Sequence, residues 1–349
     1  MSVLPWVEAA WPERSWAGAR VLHGAFHEVV LTDECAGRVA CGQNHRARVD
    51  REVRLLRAAA QLRLTCSVPL LVHGPVSRGD RSGVLTTVVR GELCEADQWF
   101  DVRNGLLAML DEFALAWPEN GGAVPPVRLW CGGPDWPGIV EERLGRCLPR
   151  DLVGGAVNVV AGVITVERES SPGVVHGDFG LHNVLWQRDA ACGLIDFDHF
   201  GWGDPAIDVA PLVGKFSVTQ LSGDFDRELL RRAMFHRASL PLQVASAAEL
   251  AGDVALRDHA LGNFVRRART GTLYDPAGAS PVVSLGQLRP PAAPGKRRPG
   301  RLGPARLVAT ARQGQRADMG AHRYGADHSY PAPDTGRALG WATLRRRSG

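Results

Sequence analysis

The run Val175-His176-Gly177-Asp178-Phe179-Gly180-Leu181-His182-Asn183-Val184-Leu185, followed by Gly193-Leu194-Ile195-Asp196-Phe197-Asp198, places a carboxylate, then an amide, then two further acidic groups beside apolar, β-like stretches. These residue types suit magnesium-dependent phosphoryl transfer. A carboxylate orients a hydroxyl and accepts its proton, while Asn and Asp oxygens hold the Mg2+ that bridges nucleotide phosphates. Asp178 is the candidate base, and Asn183 and Asp196 are the candidate metal ligands. Asp198 either assists a second metal or stabilises the loop. His176 braces the loop, since an ordinary aspartate is already ionised at neutral pH and needs no proton relay.

The ordered set His176-Gly177-Asp178, Asn183, Ile195-Asp196-Phe197-Asp198 resembles the aminoglycoside phosphotransferase and choline kinase-like family of small-molecule kinases. Gly203-Asp204-Pro205-Ala206-Ile207-Asp208 resembles the next signature of that family, in which the later aspartate supports the catalytic loop from a helix. Asp204, in a Gly-Asp-Pro turn, also reads as ordinary helix-start capping, so Asp204 and Asp208 are assigned structural support. The resemblance implies an α+β, two-lobed protein-kinase-like fold with a small β-rich N-lobe and a larger helical C-lobe. It implies ATP or GTP as donor and a small hydroxylated acceptor, with a cationic aminoglycoside-like antibiotic as the family-suggested case and possible antibiotic resistance as its consequence. Choline-like amines, sugars and homoserine-like metabolites fit the same loop.

The elements that must position these groups are legible upstream. Val21 to Leu31 reads as a strand, a turn at Gly24 and a returning strand, which in the resemblance covers the nucleotide phosphates. Gly37-Arg38-Val39-Ala40 reads as a short strand, and the resemblance implies that Arg38 takes the place of the basic residue that related enzymes set against the nucleotide phosphates. A helix from Arg48 to Leu64 lines up Val53, Leu56 and Ala60 and carries Glu52, a candidate partner for Arg38. Arg38 stands where protein kinases use lysine, and its planar fork is not equivalent to an ammonium. Val84 to Glu92 reads as a strand running into a turn, which the resemblance implies is the hinge between lobes.

Between hinge and loop, Leu106–Trp117 and Leu152–Glu167 read as amphipathic helices. The Trp130–Pro137 segment between them either covers a substrate or packs on its own lobe. Beyond Asp208, helices are expected over Asp224–Leu240 and Ala247–Thr270, with a break at Leu240-Pro241. His236, Glu249, Asp253, Asp258 and His259 lie there as polar residues that could face an acceptor or only water.

Composition fits a globular enzyme of 349 residues, 45% hydrophobic, long enough for two lobes. The seven cysteines are scattered without a C-x-x-C pair, which points to neither a disulfide framework nor structural zinc. The amino terminus lacks the pattern of a secretory leader, and no long apolar run is present, so a cytoplasmic protein without a membrane partner is expected. The expected divisions are an N-terminal nucleotide-binding lobe over 1–91, a catalytic and substrate lobe over 92–276, and a basic tail over 277–349.

The net charge of +4 is uneven: residues 277–349 hold 13 Lys and Arg against 3 Asp and Glu, so the body before them is mildly acidic. An acidic body favours a cationic substrate. The tail, rich in Pro, Gly, Ala and Arg, has the composition of a disordered segment. It reads equally as an electrostatic arm for nucleic acid or as a GC-rich gene translated out of frame; elsewhere no nucleic-acid partner is expected. Two rivals remain: a metal-dependent phosphohydrolase built on His176, Asp178, His182, Asp196, Asp198 and His199, and a non-catalytic kinase-like nucleotide-binding protein. If the tail is dispensable, a chain ending at residue 276 will keep the melting temperature of the full chain; a collapse on truncation would show that the tail completes the second lobe.

Overall fold

The computed structural model describes residues 3–24, 27–42, 44–116 and 124–281. Residues 25 and 26 of the expected glycine turn, Trp117 and residues 282–349 of the tail lie outside the described residues. The chain opens with helix α1 (Leu4–Ala10), begun by Pro5 in its first turn, where a missing N–H costs nothing. Strands β1 (Arg20–His23), β2 (Glu28–Leu31), β3 (Cys35–Cys41), β4 (Leu71–Arg78) and β5 (Arg81–Thr87) form an antiparallel sheet in the order β1-β2-β3-β5-β4. Helix α2 (His45–Ala59) crosses between β3 and β4.

Strand alternation divides this sheet into two faces. On one face Val30, Cys35, Val39 and Leu85 pack against Val3, Val7, Trp11 and Trp16. Gly37 has no side chain because a Cβ there would press on both Trp11 and Trp16 at 3.1–3.2 Å. On the other face Ala40 and Val84 meet Val49, Val53 and Leu56 of α2. Arg38 has the parity of Ala40 and therefore shares the α2 side of the sheet, where it meets Glu52. A shift of one residue in β3 would carry it to the tryptophan face.

Helix α2 begins and ends earlier than the expected Arg48–Leu64 span. Val49, Val53, Leu56 and Ala59 continue its buried stripe, whereas Ala60 is the exposed residue that ends the helix. Glu52 belongs to that buried face. The chain then runs through the two-residue strand β6 (Glu92–Leu93) to α3 (Trp99–Leu115), which starts almost two turns before the expected Leu106. Trp99 anchors that early start: it packs against Phe216 and Phe225, and its Nε1 donates to Asp224 at 2.7 Å.

The larger part is helical. A single turn α4 (Trp136–Gly138), α5 (Arg150–Arg168), α6 (Ala206–Leu221), α7 (Arg227–Ala251) and α8 (Val254–Arg269) surround β7 (Gly173–Val175), β8 (Val184–Gln187), β9 (Ala190–Leu194) and β10 (Gly201–Gly203). β10 pairs with β7, and β8 joins β6 to β9, all antiparallel. Both motif loops emerge from these small sheets, one linking β7 to β8 and the other following β9. Phe113, Phe179, Phe197, Phe200 and Phe216 form one core beneath them, while α5, α7 and α8 enclose a second around Phe235 and Phe264. Gly162 permits that second packing, since a Cβ would lie 2.4 Å from the Phe235 ring.

The expected break at Leu240-Pro241 does not occur. Helix α7 runs through Pro241 to Ala251 and ends at Gly252, which adopts φ 71°, and Asp253 then caps α8 by accepting the Leu256 N–H at 2.9 Å. An interior proline costs about 3 kcal/mol, but α7 is buried over most of its circumference, including Ala233, Ala238, Leu242, Ala245 and Ala248. Tertiary burial outweighs the local preference, and glycine in the left-handed region sets the boundary. No helix among the described residues is long and apolar enough to cross a membrane.

Trp11 is completely buried between α1 and the sheet, so Trp11→Ala should cost about 3–5 kcal/mol. Urea unfolding will measure this; a loss within experimental scatter would show that α1 is only loosely attached to the sheet.

Candidate active site

The loop after β7 turns at Gly177, whose φ of 89° and close approach exclude a side chain: a Cβ would sit 2.2 Å from the His199 carbonyl oxygen. Asp208, reaching back from α6, accepts the N–H groups of His176 at 2.8 Å and Gly177 at 2.7 Å. Burial raises the Asp208 carboxyl to about 7, opposed by these two backbone bonds. His176 is buried, with Nε2 3.0 Å from the Ile195 carbonyl oxygen and its ring edge-on to Phe113 and Phe197. Its Nδ1 accepts the Asp178 N–H at 3.3 Å.

The Asp178 carboxylate is held from two sides. His182 Nε2 lies 3.1 Å from Oδ2, and Asn183 Nδ2 donates to the same oxygen at 3.2 Å and to the Asp178 carbonyl at 2.9 Å. Burial pushes the carboxyl up, but the His182 hydrogen bond and nearby His199 outweigh it, leaving Asp178 below the usual range and ionised. The Asp178 bond in turn raises His182. With Nδ2 committed to Asp178, Asn183 retains its side-chain carbonyl oxygen as an acceptor.

A second cluster spans both lobes. Arg38 Nε pairs with Glu52 Oε1, while Arg38 Nη2 lies 3.3 Å from both Asp196 Oδ1 and Asp198 Oδ2. His27, from the β2 side of the hairpin, sits 3.3 Å from Glu52 and 3.1 Å from Asp198. Asp196 adopts φ 65° and ψ 69°, unusual for a residue with a side chain, and its side chain remains 43% exposed. Burial disfavours charge on His27, but Asp198 and Glu52 outweigh it and raise the imidazole to about 9. Asp198 is held far below the usual carboxylate range by His27 and Arg38 in spite of burial.

His27, Glu52 and Asp198 bring three ligand-type atoms within 4.8 Å of one another. Arg38 lies between the two acids and His27 touches both, so the trio forms an ion-pair knot.

The two clusters are joined through Ile195, whose N–H donates to the Asn183 carbonyl at 2.9 Å and whose carbonyl faces His176. Asp204 is fully buried and ties α6 to α7: it accepts the Ala206 N–H at 3.0 Å and contacts Arg232 at 3.1 Å and His236 at 3.2 Å. Gly24 closes the hairpin by donating its N–H to the His27 carbonyl at 2.8 Å, so its described role is to present His27. Of the other polar residues on these helices, Glu249 and Asp258 both pair with Arg257. Trp136 is buried beneath Arg128, whereas Trp130 stacks on His199 with ring centroids 4.0 Å apart.

His27 is the site residue that the sequence does not single out, and His182 enters the sequence reading only through the hydrolase alternative, not as the partner of Asp178. The signal for His182 is its i+4 spacing from Asp178; His27 carries none, because its partners lie far away in the chain.

A sheet-bearing lobe with an Arg–Glu pair, set over a helical lobe with an Asp, an Asn and an acidic turn, defines a kinase-like phosphotransferase. The chain belongs to the phosphotransferase enzyme family, which it matches over residues 19–242. It is 28% identical over 279 residues to the viomycin phosphotransferase of Streptomyces vinaceus, covering 69% of this chain and 91% of that protein. Among solved structures, the GDP and kanamycin complex of APH(2")-IIia superimposes with a TM-score of 0.60 at 18% identity, covering 77% of this chain and 99% of that one. The macrolide 2'-phosphotransferase MphH from Brachybacterium faecium gives a TM-score of 0.53 at 14% identity, with 75% and 97% covered. At these identities the likeness speaks for the fold.

The raised His27 pKa makes a stability prediction. The charge contributes fully below about pH 6.5 and is lost as pH rises through about 9. Wild type should therefore lose on the order of 2–3 kcal/mol relative to His27→Gln across that window, as read by urea unfolding at several pH values. A constant difference would mean that His27 is neutral.

Proposed function

We propose that this chain transfers the γ-phosphoryl group of ATP or GTP to a hydroxyl of a small cationic acceptor, with Asp178 as the base. The observation that carries this reading is the Asp178 carboxylate, ionised and fixed by His182 and Asn183, beside the exposed Asp196. Asp178 orients the hydroxyl and takes its proton, and the amide of Asn183 keeps the carboxylate from rotating away. Glu52 holds Arg38 extended toward the phosphates, where a guanidinium offers a bidentate contact.

Asn183 and Asp196 suit Mg2+, a hard cation that takes oxygen ligands: one supplies an amide carbonyl and the other a half-exposed carboxylate. The ion would neutralise charge on the phosphates. Asp198, enclosed by His27 and Arg38, fits loop support better than metal ligation. Residues 1–91 would serve as the nucleotide-binding lobe and 92–276 as the catalytic and acceptor lobe. An antibiotic acceptor is supported by the viomycin phosphotransferase relative and by kanamycin in a neighbour's complex. The phosphohydrolase reading loses support because His176 faces the core and the Ile195 carbonyl.

Calorimetry with ATP and GTP, with and without magnesium, tests the donor site. Asp196→Ala should abolish magnesium-dependent binding, whereas Asp178→Ala should leave binding intact and lower kcat about 10²–10⁴-fold. Equal loss of binding in both would contradict the division of roles, and turnover of simple phosphate esters without nucleotide would revive the hydrolase reading.

A further inference from the structure

Beside the ion-pair knot, on the flank of α2, lies a hollow of about 320 Å³ lined by Arg51, Arg54, Pro126, Leu129, Trp130 and His199. It continues into a second of about 220 Å³ that shares Arg51, Trp130 and His199 and adds Arg48. The charges facing this space do not cancel. Arg128 is neutralised by Glu167 at 2.7 Å, and Asp198 is already taken by His27 and Arg38. Among the described residues Arg51 and Arg54 make no ion pair, and the buried Arg51 Nε has no hydrogen-bond partner.

A buried donor left without a partner costs about 1–3 kcal/mol, and burial also pulls the Arg51 guanidinium below its ordinary pKa. A ligand that accepts from Arg51 would remove both penalties. The Trp130 ring, stacked flat on His199, lines the same hollow as the two guanidinium groups. We propose that this hollow, which adjoins the turn after β9 through Asp198 and His199, is an oxyanion-binding site that takes the carboxylate or phosphate of a small ligand between Arg51 and Arg54. Arginine forks match such groups bidentately, and the hollow is too small for a macromolecule. The site does not depend on the phosphotransferase reading, and its ligand is opposite in charge to the cationic acceptor of that reading.

The test is calorimetric titration of the full chain, at physiological chloride, with inorganic phosphate and separately with benzoate. Saturable one-to-one binding of either, weakened at least tenfold by Arg51→Gln and by Arg54→Gln, is the expected result. Phosphate alone would identify a phosphate ligand; benzoate would identify a carboxylate on a planar body. Absence of binding by both, or equal affinity in wild type and variants, overturns the proposal. Arg54 is exposed, so Arg54→Gln keeps the test decisive if Arg51→Gln fails to fold.

Discussion

A carboxylate as deeply buried as Glu52, 2% exposed, can stay charged only with cations at its oxygens. Arg38 meets one oxygen and His27 the other, and each of these cations also reaches Asp198. Four groups from β3, the first hairpin, α2 and the turn after β9 are thus locked by mutual neutralisation. Removing one cation would strand an acid, and removing one acid would strand a cation. This constraint fixes the strand that carries Arg38 against the turn that carries the partly exposed Asp196.

The second half of the site rests on a different buried acid. Asp208 has no cation within its hydrogen-bond set; it is satisfied by two backbone N–H groups of the very loop it shapes. Those bonds and the left-handed Gly177 aim the following residue into the cleft, where His182 and Asn183 complete its restraint. Ile195 links the halves, its N–H donating to the Asn183 carbonyl and its carbonyl meeting the His176 ring, so a displacement of the turn after β9 is felt at Asp178. The hollow beside α2 shares Asp198 and His199 with this turn.

Much of the fold was legible where local pattern and tertiary demand agree. The hairpin from Val21 to Leu31, the strand around Arg38, and α5 all follow periodicity, because strand alternation and helical repeat directly record which face is buried. Pattern failed where burial overrode a local preference. Pro241 continues inside α7 because nearly all of that helix is enclosed, and α3 starts early because Trp99 has aromatic neighbours more than 100 residues later. Helix α1 and its tryptophan cluster cover a sheet face whose need for a cover is not visible in α1 itself.

The residue types and spacing of His176-Gly177-Asp178, Asn183 and Asp196 by themselves determined the chemistry open to this chain. A five-residue loop returns Asn183 to Asp178 through contacts so local that composition nearly specifies them. Only the tertiary structure decided that Arg38 would meet Asp196, 158 residues away, that His27 would enter the same knot as a cation, and that Arg51 Nε would have no hydrogen-bond partner among the described residues. Sequence distance carries no signal for such encounters: they follow from sheet register, from the face on which α2 is buried, and from the requirement that charges removed from water be paired.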